Sequence, residues 1–199
     1  MLEVLDHIFA AVCGQNPEHT WAPGGLLLPL CQRCTGMYAG AAIAALLYAF
    51  IRPRLSSRWI ELHGAFLLIM APFGFHWLSQ GPMLRTMTGV LFGFGVFTFL
   101  WLPFHRPPAE SEAITHTSKG SAFHWVTYFA AVAVTLWAIP WLGAYGGNFA
   151  AYTLATLTGM GAVALSLLVV ANVALGLAAA TRSVSGPASE TVTKGQSQL

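Results

Sequence analysis

Charge is scarce in this sequence. Nine Lys+Arg and seven Asp+Glu make up only 8% of 199 residues, against about 25% in a soluble globular domain. So few charges cannot solvate the surface of a water-soluble fold. A net charge of +2 forms no basic stripe, so nucleic acid is not expected as a partner. The opening "MLEVLDHIFAAVCG" lacks a basic n-region and carries acids early, which argues against a cleaved signal peptide. Catalytic signatures are missing as well. The chain holds no His-Glu-x-x-His, no Gly-x-Ser-x-Gly and no phosphate-cradling loop, and no enzyme class follows from it. Glu18 is the sole carboxylate of the cysteine-bearing segment, since Glu3 and Asp6 belong to the first helix, and this argues against two-carboxylate hydrolysis.

Hydrophobic residues, in contrast, make up 56% of the chain, and the mean hydropathy is +0.63. Apolar runs near the length a bilayer requires recur at about 35–51, 59–79, 86–104, 122–143 and 149–180. The expected fold is an all-α integral membrane protein with about five transmembrane helices, forming a single polytopic domain over residues 1–181. The last run exceeds what a bilayer needs and implies tilt or an exposed extension. The Ser/Thr/Gly-rich tail, 182–199, reads as disordered. Before the first span, Leu2, Leu5, Ile8, Phe9 and Val12 recur at helical spacing, with Glu3, Asp6 and His7 opposite them. That pattern fits an amphipathic helix lying in the membrane interface. "GQNPEHTWAPGGLLLPLCQRC" then reads as a loop or re-entrant turn whose Trp21 and "LLLPL" sit at the membrane surface.

The distribution of Lys and Arg orients the bundle. Arg33 and Arg85 fall on one side; Arg52, Arg54, Arg58, Arg106, Lys119, Arg182 and Lys194 fall on the other. The cysteine loop is therefore expected outside a prokaryotic inner membrane and the C-terminus in the cytoplasm. Lipid is the expected partner, and the sequence leaves a membrane protein partner or a homo-oligomer open.

That orientation gathers the unusual residues at the outer end. Cys13, His19, Cys31, Arg33 and Cys34 come from the loop, His76 and Gln80 from the end of the second span, and Arg85 from the start of the third. His76 and Gln80, four apart, are expected on one helix face. "RCTGMYAG" and "RTMTGVLFG" each place Arg shortly before Thr-Gly-x-x-x-Gly. Gly36/Gly40 and Gly89/Gly93 are small-x-x-x-small pairs that let the first and third spans pack closely and bring Arg33 near Arg85. His63 and His124 read as interfacial polar residues, and Asn172 as an interhelical hydrogen-bond donor.

Cys13, "GGLLLPLCQRCTGMYAG" and "QGPMLRTMTGVLFG" together resemble the small prokaryotic membrane proteins of the domain-of-unknown-function family numbered 2085, over about residues 8–95. Matching positions are Cys13, Cys31, Arg33, Cys34, Thr35, Gly36, Gly40, Gln80, Arg85, Thr88, Gly89 and Gly93. The chain departs at Gly14, where the family has His, at His19, where it tends to have Arg, and at His76, where Asp is expected. The resemblance implies a membrane class and a candidate site, and no activity.

The residues themselves support three chemistries. Cys13, Cys31 and Cys34 with His19 or His76 form a donor set for zinc or copper. Alternatively Cys31-x-x-Cys34, at a helix mouth with Arg33 between the thiols to stabilise thiolates, is a thiol redox motif. Cys13 would then be a third thiol, with a quinone or a partner protein as electron acceptor. Thirdly, Arg33 and Arg85 beside Gln80 and His76 could hold a lipid headgroup or small solute without catalysis.

Overall fold

The computed structural model describes residues 2–51, 56–75, 77, 79–104 and 119–184. Six α-helices follow one another: α1 (Leu2–Phe9), α2 (Gln32–Ile51), α3 (Ser57–Gly74), α4 (Pro82–Trp101), α5 (Lys119–Tyr145) and α6 (Asn148–Val184). The described residues contain no strand beyond an isolated antiparallel bridge between Thr20 and Cys31. Among the described residues four stretches are long and apolar enough to cross a membrane: Gln32–Ile51, Pro82–Phe104, Phe123–Tyr145 and Asn148–Thr181. The chain is an all-α membrane protein. The turn arginines Arg52 and Arg54, the loop holding Arg106, the residue His76 and the tail beyond Val184 lie outside the described residues.

The remaining apolar run of the sequence becomes α3, an 18-residue helix carrying Arg58 and Glu61. It buries Trp59, His63 and Phe66 and packs on α4, where a Cβ on Gly95 would meet the Leu67 side chain at 2.7 Å. Ser56 caps its start by accepting from the Trp59 N–H. The helix stops at Gly74 rather than running on to residue 79, so Gln80 lies in the following turn and not on a helix face. Pro72 contributes no N–H to the last turn, and the Phe75 N–H closes the helix onto the Ala71 carbonyl at 3.0 Å.

Helices α2 and α4 are the centre of the bundle, and glycine sets their separation. A Cβ on Gly36 would strike the Thr86 carbonyl oxygen, and one on Gly40 would lie 2.6 Å from that of Val90. Reciprocally, Cβ atoms on Gly89 and Gly93 would strike the carbonyls of Arg33 and Met37. Backbone touches backbone through two full turns, as small-x-x-x-small packing allows. Partner numbers rise together along both helices, so α2 and α4 run parallel with their N-termini side by side.

Helix α6 runs the same way. Its first residue, Asn148, abuts Gly24; Gly161 lies against the Tyr38 carbonyl; Asn172 donates across to the Leu100 carbonyl near the end of α4, at 2.8 Å. The interhelical bond expected of Asn172 is formed. At 1.5 Å per residue the 37 residues of α6 span about 55 Å, well beyond a hydrocarbon core of about 30 Å. Its last turns run past the end of α4 with Val173, Leu175 and Leu177 exposed.

At the end remote from the cysteines, polar groups are buried and paired. Trp59 Nε1 donates to the Tyr48 hydroxyl (2.8 Å), which pairs with Thr98 Oγ1 (2.8 Å). His63, 0% exposed, bonds the Trp59 carbonyl through Nδ1 (2.7 Å) and the Tyr128 hydroxyl through Nε2. His63 is thus a core residue and not an interfacial one, tenable in an apolar bundle because both ring nitrogens have partners.

Candidate functional site

The segment between α1 and α2 folds back on the bundle as a plug. Leu28 N–H bonds the Trp21 carbonyl at 2.9 Å, and Thr20 pairs with Cys31, giving the loop a hairpin-like waist. Trp21, Leu28 and Leu30 are buried instead of lying at the membrane surface. Trp21 Nε1 donates to Thr86 Oγ1 at 2.9 Å, which anchors the loop to the first turn of α4. Gly24, at φ 61, comes so close to Asn148 that a Cβ would lie 2.6 Å from the Asn148 nitrogen. Glycine is required there both for left-handed backbone and for contact.

This folding brings three sulfurs together. Cys34 follows Cys31 by one turn at the mouth of α2, on the same side of the helix. Cys13 arrives from the end of α1, its N–H bonded to the Phe9 carbonyl at 2.9 Å. The sulfurs of Cys13, Cys31 and Cys34 all lie within 4.8 Å of one another, and all three cysteines are free thiols. Cys13 is 7% exposed and packs with Phe9 and Leu30, whereas Cys31 and Cys34 are half-buried. The Cys31 N–H points to Cys13 Sγ at 3.4 Å. The Phe9 and Tyr38 rings, 5.5 Å apart, close the apolar side.

Thiol acidity is unequal. Hydrogen bonding from the Cys34 thiol lowers Cys31 from its usual value to about 5, helped by backbone N–H groups and by Cys13 and opposed by burial. The part played by Arg33 in this is its backbone hydrogen bond. Its side chain faces elsewhere: Nη2 donates to the Phe73 carbonyl (3.1 Å) and to Gln80 Oε1 (3.4 Å). Gln80 Nε2 donates to the same carbonyl at 2.8 Å. The two side chains together serve the Phe73 carbonyl in the last turn of α3, to which the Phe75 cap N–H also turns.

Beside the sulfurs opens a cleft of about 620 Å³ lined by Gly14, Gln15, Asn16, His19, Cys31, Arg33, Ser79, Gln80 and Arg85. Of the residues singled out from the sequence, His19, Cys31, Arg33, Gln80 and Arg85 therefore share one cavity. Cys13 and Cys34 sit behind Cys31, and His19 stands apart from the sulfur group. His76 lies outside the described residues. Gly36, Gly40, Gly89 and Gly93 form the α2–α4 contact beneath.

Gln15 has no counterpart in the sequence reading. At φ 42 it turns the chain after α1, and its Nε2 donates to the Asp6 carbonyl (2.8 Å), Asp6 Oδ1 (3.0 Å) and the Pro29 carbonyl (2.9 Å). That clamp fixes Cys13 against Cys31. The turn-forming Asn-Pro pair that follows is its only local signal.

A family model described as "Predicted membrane protein (DUF2085)" matches residues 13–99. These residues hold all three sulfurs, the cleft and both glycine pairs. An uncharacterized protein of Methanothermobacter thermautotrophicus (strain Delta H) is 36% identical over 95 residues, covering 44% of this chain and 83% of the relative. No solved structure matches the chain.

Proposed function

We propose, from the premise that this chain belongs to the DUF2085 family of predicted membrane proteins, that its thiol cluster binds a soft or borderline metal ion at the outer surface of a prokaryotic inner membrane. The observation that carries this reading is the convergence of three reduced sulfurs, from two separate segments, within 4.8 Å. Metal–sulfur bonds of about 2.3 Å hold sulfurs roughly 3.8 Å apart, so a contraction of about 1 Å or less would complete the set. An all-thiolate triad favours Cu(I), and zinc becomes its equal if His19, across the cleft, supplies a fourth donor. Cys31 at about 5 offers a thiolate without alkaline conditions, as ligation demands. The seven Lys and Arg residues on the opposite side support an outward-facing cluster.

The test is elemental analysis of the full chain purified in detergent under reducing conditions. About one copper or zinc per chain is expected, falling to background in Cys13→Ser and in Cys31→Ser. Protein that carries no stoichiometric metal, and takes up none when Cu(I) or zinc is added, would sink the proposal.

Thiol–disulfide exchange is the second reading, and one arrangement favours it. The acidified Cys31 borders the cleft while Cys34 stands one turn behind it. Cys31 thiolate would attack an incoming disulfide, releasing one of its sulfurs as a thiol. Cys34 would then attack the mixed disulfide and release the second sulfur. The substrate gains two electrons and two protons, and the protein keeps a Cys31–Cys34 disulfide. Cys34→Ser should then accumulate a mixed disulfide through Cys31, which a pure metal site would not do.

A further inference from the structure

We infer that the cleft beside the sulfur cluster is an anion site that takes a phosphate group, independently of whether the sulfurs hold a metal. Two guanidinium groups, Arg33 and Arg85, line it together with His19, Gln80, Asn16 and Ser79, and none of its described lining residues is acidic. Arg33 already bonds the neutral acceptors Phe73 and Gln80 through Nη2, while its buried Nε has no partner. Arg85 has no side-chain hydrogen bond or ion pair among the described residues. Two positive charges are thus held at one cavity with no acidic group among its described lining residues, and the single Nη2 contact of Arg33 with neutral acceptors leaves most of that charge for an anion to balance.

The backbone adds to the field. Helices α2 and α4 run parallel, so both present N-terminal N–H groups at this end. The N-cap of α4 is Gly81, which offers no side-chain oxygen to those groups. Helix N-termini attract anions, and Arg is the residue that matches phosphate oxygens in a planar, two-point manner. The surroundings point to phosphate among anions. Val4, Ile8 and Val12 are exposed along the α1 segment, and Phe75 and Trp77, stacked 5.5 Å apart, are exposed just before Ser79 and Gln80. Exposed apolar side chains on the chain segments that flank Gln15 and Gln80 would, on entering a bilayer, bring the cleft close to the depth of lipid phosphates. The phosphate can come from an anionic lipid headgroup or from a soluble phosphate compound, and the experiment separates the two.

The readout is the rate at which a neutral alkylating reagent modifies Cys31, followed by peptide mass spectrometry on chelator-treated full-length protein in detergent. Cys31 lines the same cleft, so an occupied cleft shields it. Protection by added phosphatidylglycerol but not by phosphatidylcholine identifies a lipid source, and protection by inorganic phosphate identifies a soluble one. In Arg85→Gln the concentration giving half-protection should rise about tenfold, the loss of one charge-assisted contact. Arg58→Gln, an exposed arginine at the start of α3, should leave it unchanged. Absence of protection in the wild-type protein by both probes overturns the inference, and this arm does not depend on any variant folding. So does protection that Arg58→Gln weakens as much as Arg85→Gln. Metal content is measured separately, so loss of the metal reading would leave this result standing.

Discussion

Arg33 on α2 donates through Nη2 to the carbonyl oxygen of Phe73, 3.1 Å away in the last turn of α3. An arginine between two cysteines invites the reading that its charge makes thiolates, yet here it fastens one helix to the frayed end of another. Arg33→Gln should therefore lower the stability of the detergent-solubilised protein by about 1.5–3 kcal/mol, as expected for a lost charge-assisted hydrogen bond. The alkylation rate of Cys31 should change little, because Cys34 and backbone N–H groups acidify it. A thermal midpoint identical to wild type, together with a markedly slower Cys31, would restore the electrostatic role.

The α2–α4 contact leaves no room for side chains. Gly36→Leu and Gly89→Leu each drive a side chain into a facing backbone carbonyl, so neither should yield a monodisperse helical protein on gel filtration. Gly14→Ala is the matched control, since a Cβ there meets nothing within 4 Å, and should behave as wild type. Equal behaviour of Gly36→Leu and Gly14→Ala would mean that the helices do not touch through these glycines.

Much of the site is legible in the sequence because helical periodicity and small-residue spacing are local signals. Cys31 and Cys34 are one turn apart wherever a helix begins at residue 32, and the paired Thr-Gly-x-x-x-Gly runs announce the helix contact. What joins distant segments is not legible in the same way. His63 reads as an interfacial histidine because its partner Tyr128 stands 65 positions away and no spacing links them. The Gln15 clamp depends on a left-handed residue at φ 42 that its type does not announce. The end of α3 differs from the end of the apolar run for a related reason: hydrophobic residues continue past Gly74, but Pro72 lies in the last turn and Gln80 and Arg33 hold the Phe73 carbonyl, so the helix ends before the hydrophobicity does.

Orientation is testable through the same thiols. A membrane-impermeant maleimide applied to intact cells, after mild reduction, should label Cys31, which lines an open cleft. Cys13, 7% exposed, should stay unlabelled until the protein is denatured. Labelling of Cys31 only after the cells are permeabilised would place the cluster in the cytoplasm, where disulfide substrates are rare, and would shift the weight to the metal reading.

The acidity of Cys31 makes a prediction about pH. A thiol at about 5 in the folded protein, against 9.0 ordinarily, is ionised across the neutral range. Its alkylation rate should stay level from neutral pH down to about 6 and then fall with a midpoint near 5. The linkage to folding has a definite sign: the pKa is depressed in the folded state, so its stabilisation is complete above the unfolded value and is lost as pH falls through the folded one. Stability contributed by Cys31 should therefore rise with pH between about 5 and 9. Removing the main cause tests the assignment. Cys34→Ala deletes the donor thiol and should move the alkylation midpoint upward, while Cys34→Ser, which keeps a hydroxyl donor in the same place, should move it less. A midpoint near 9 in the wild-type protein, or one unmoved in Cys34→Ala, would mean that the two thiols do not share a proton, and the exchange reading would lose its nucleophile.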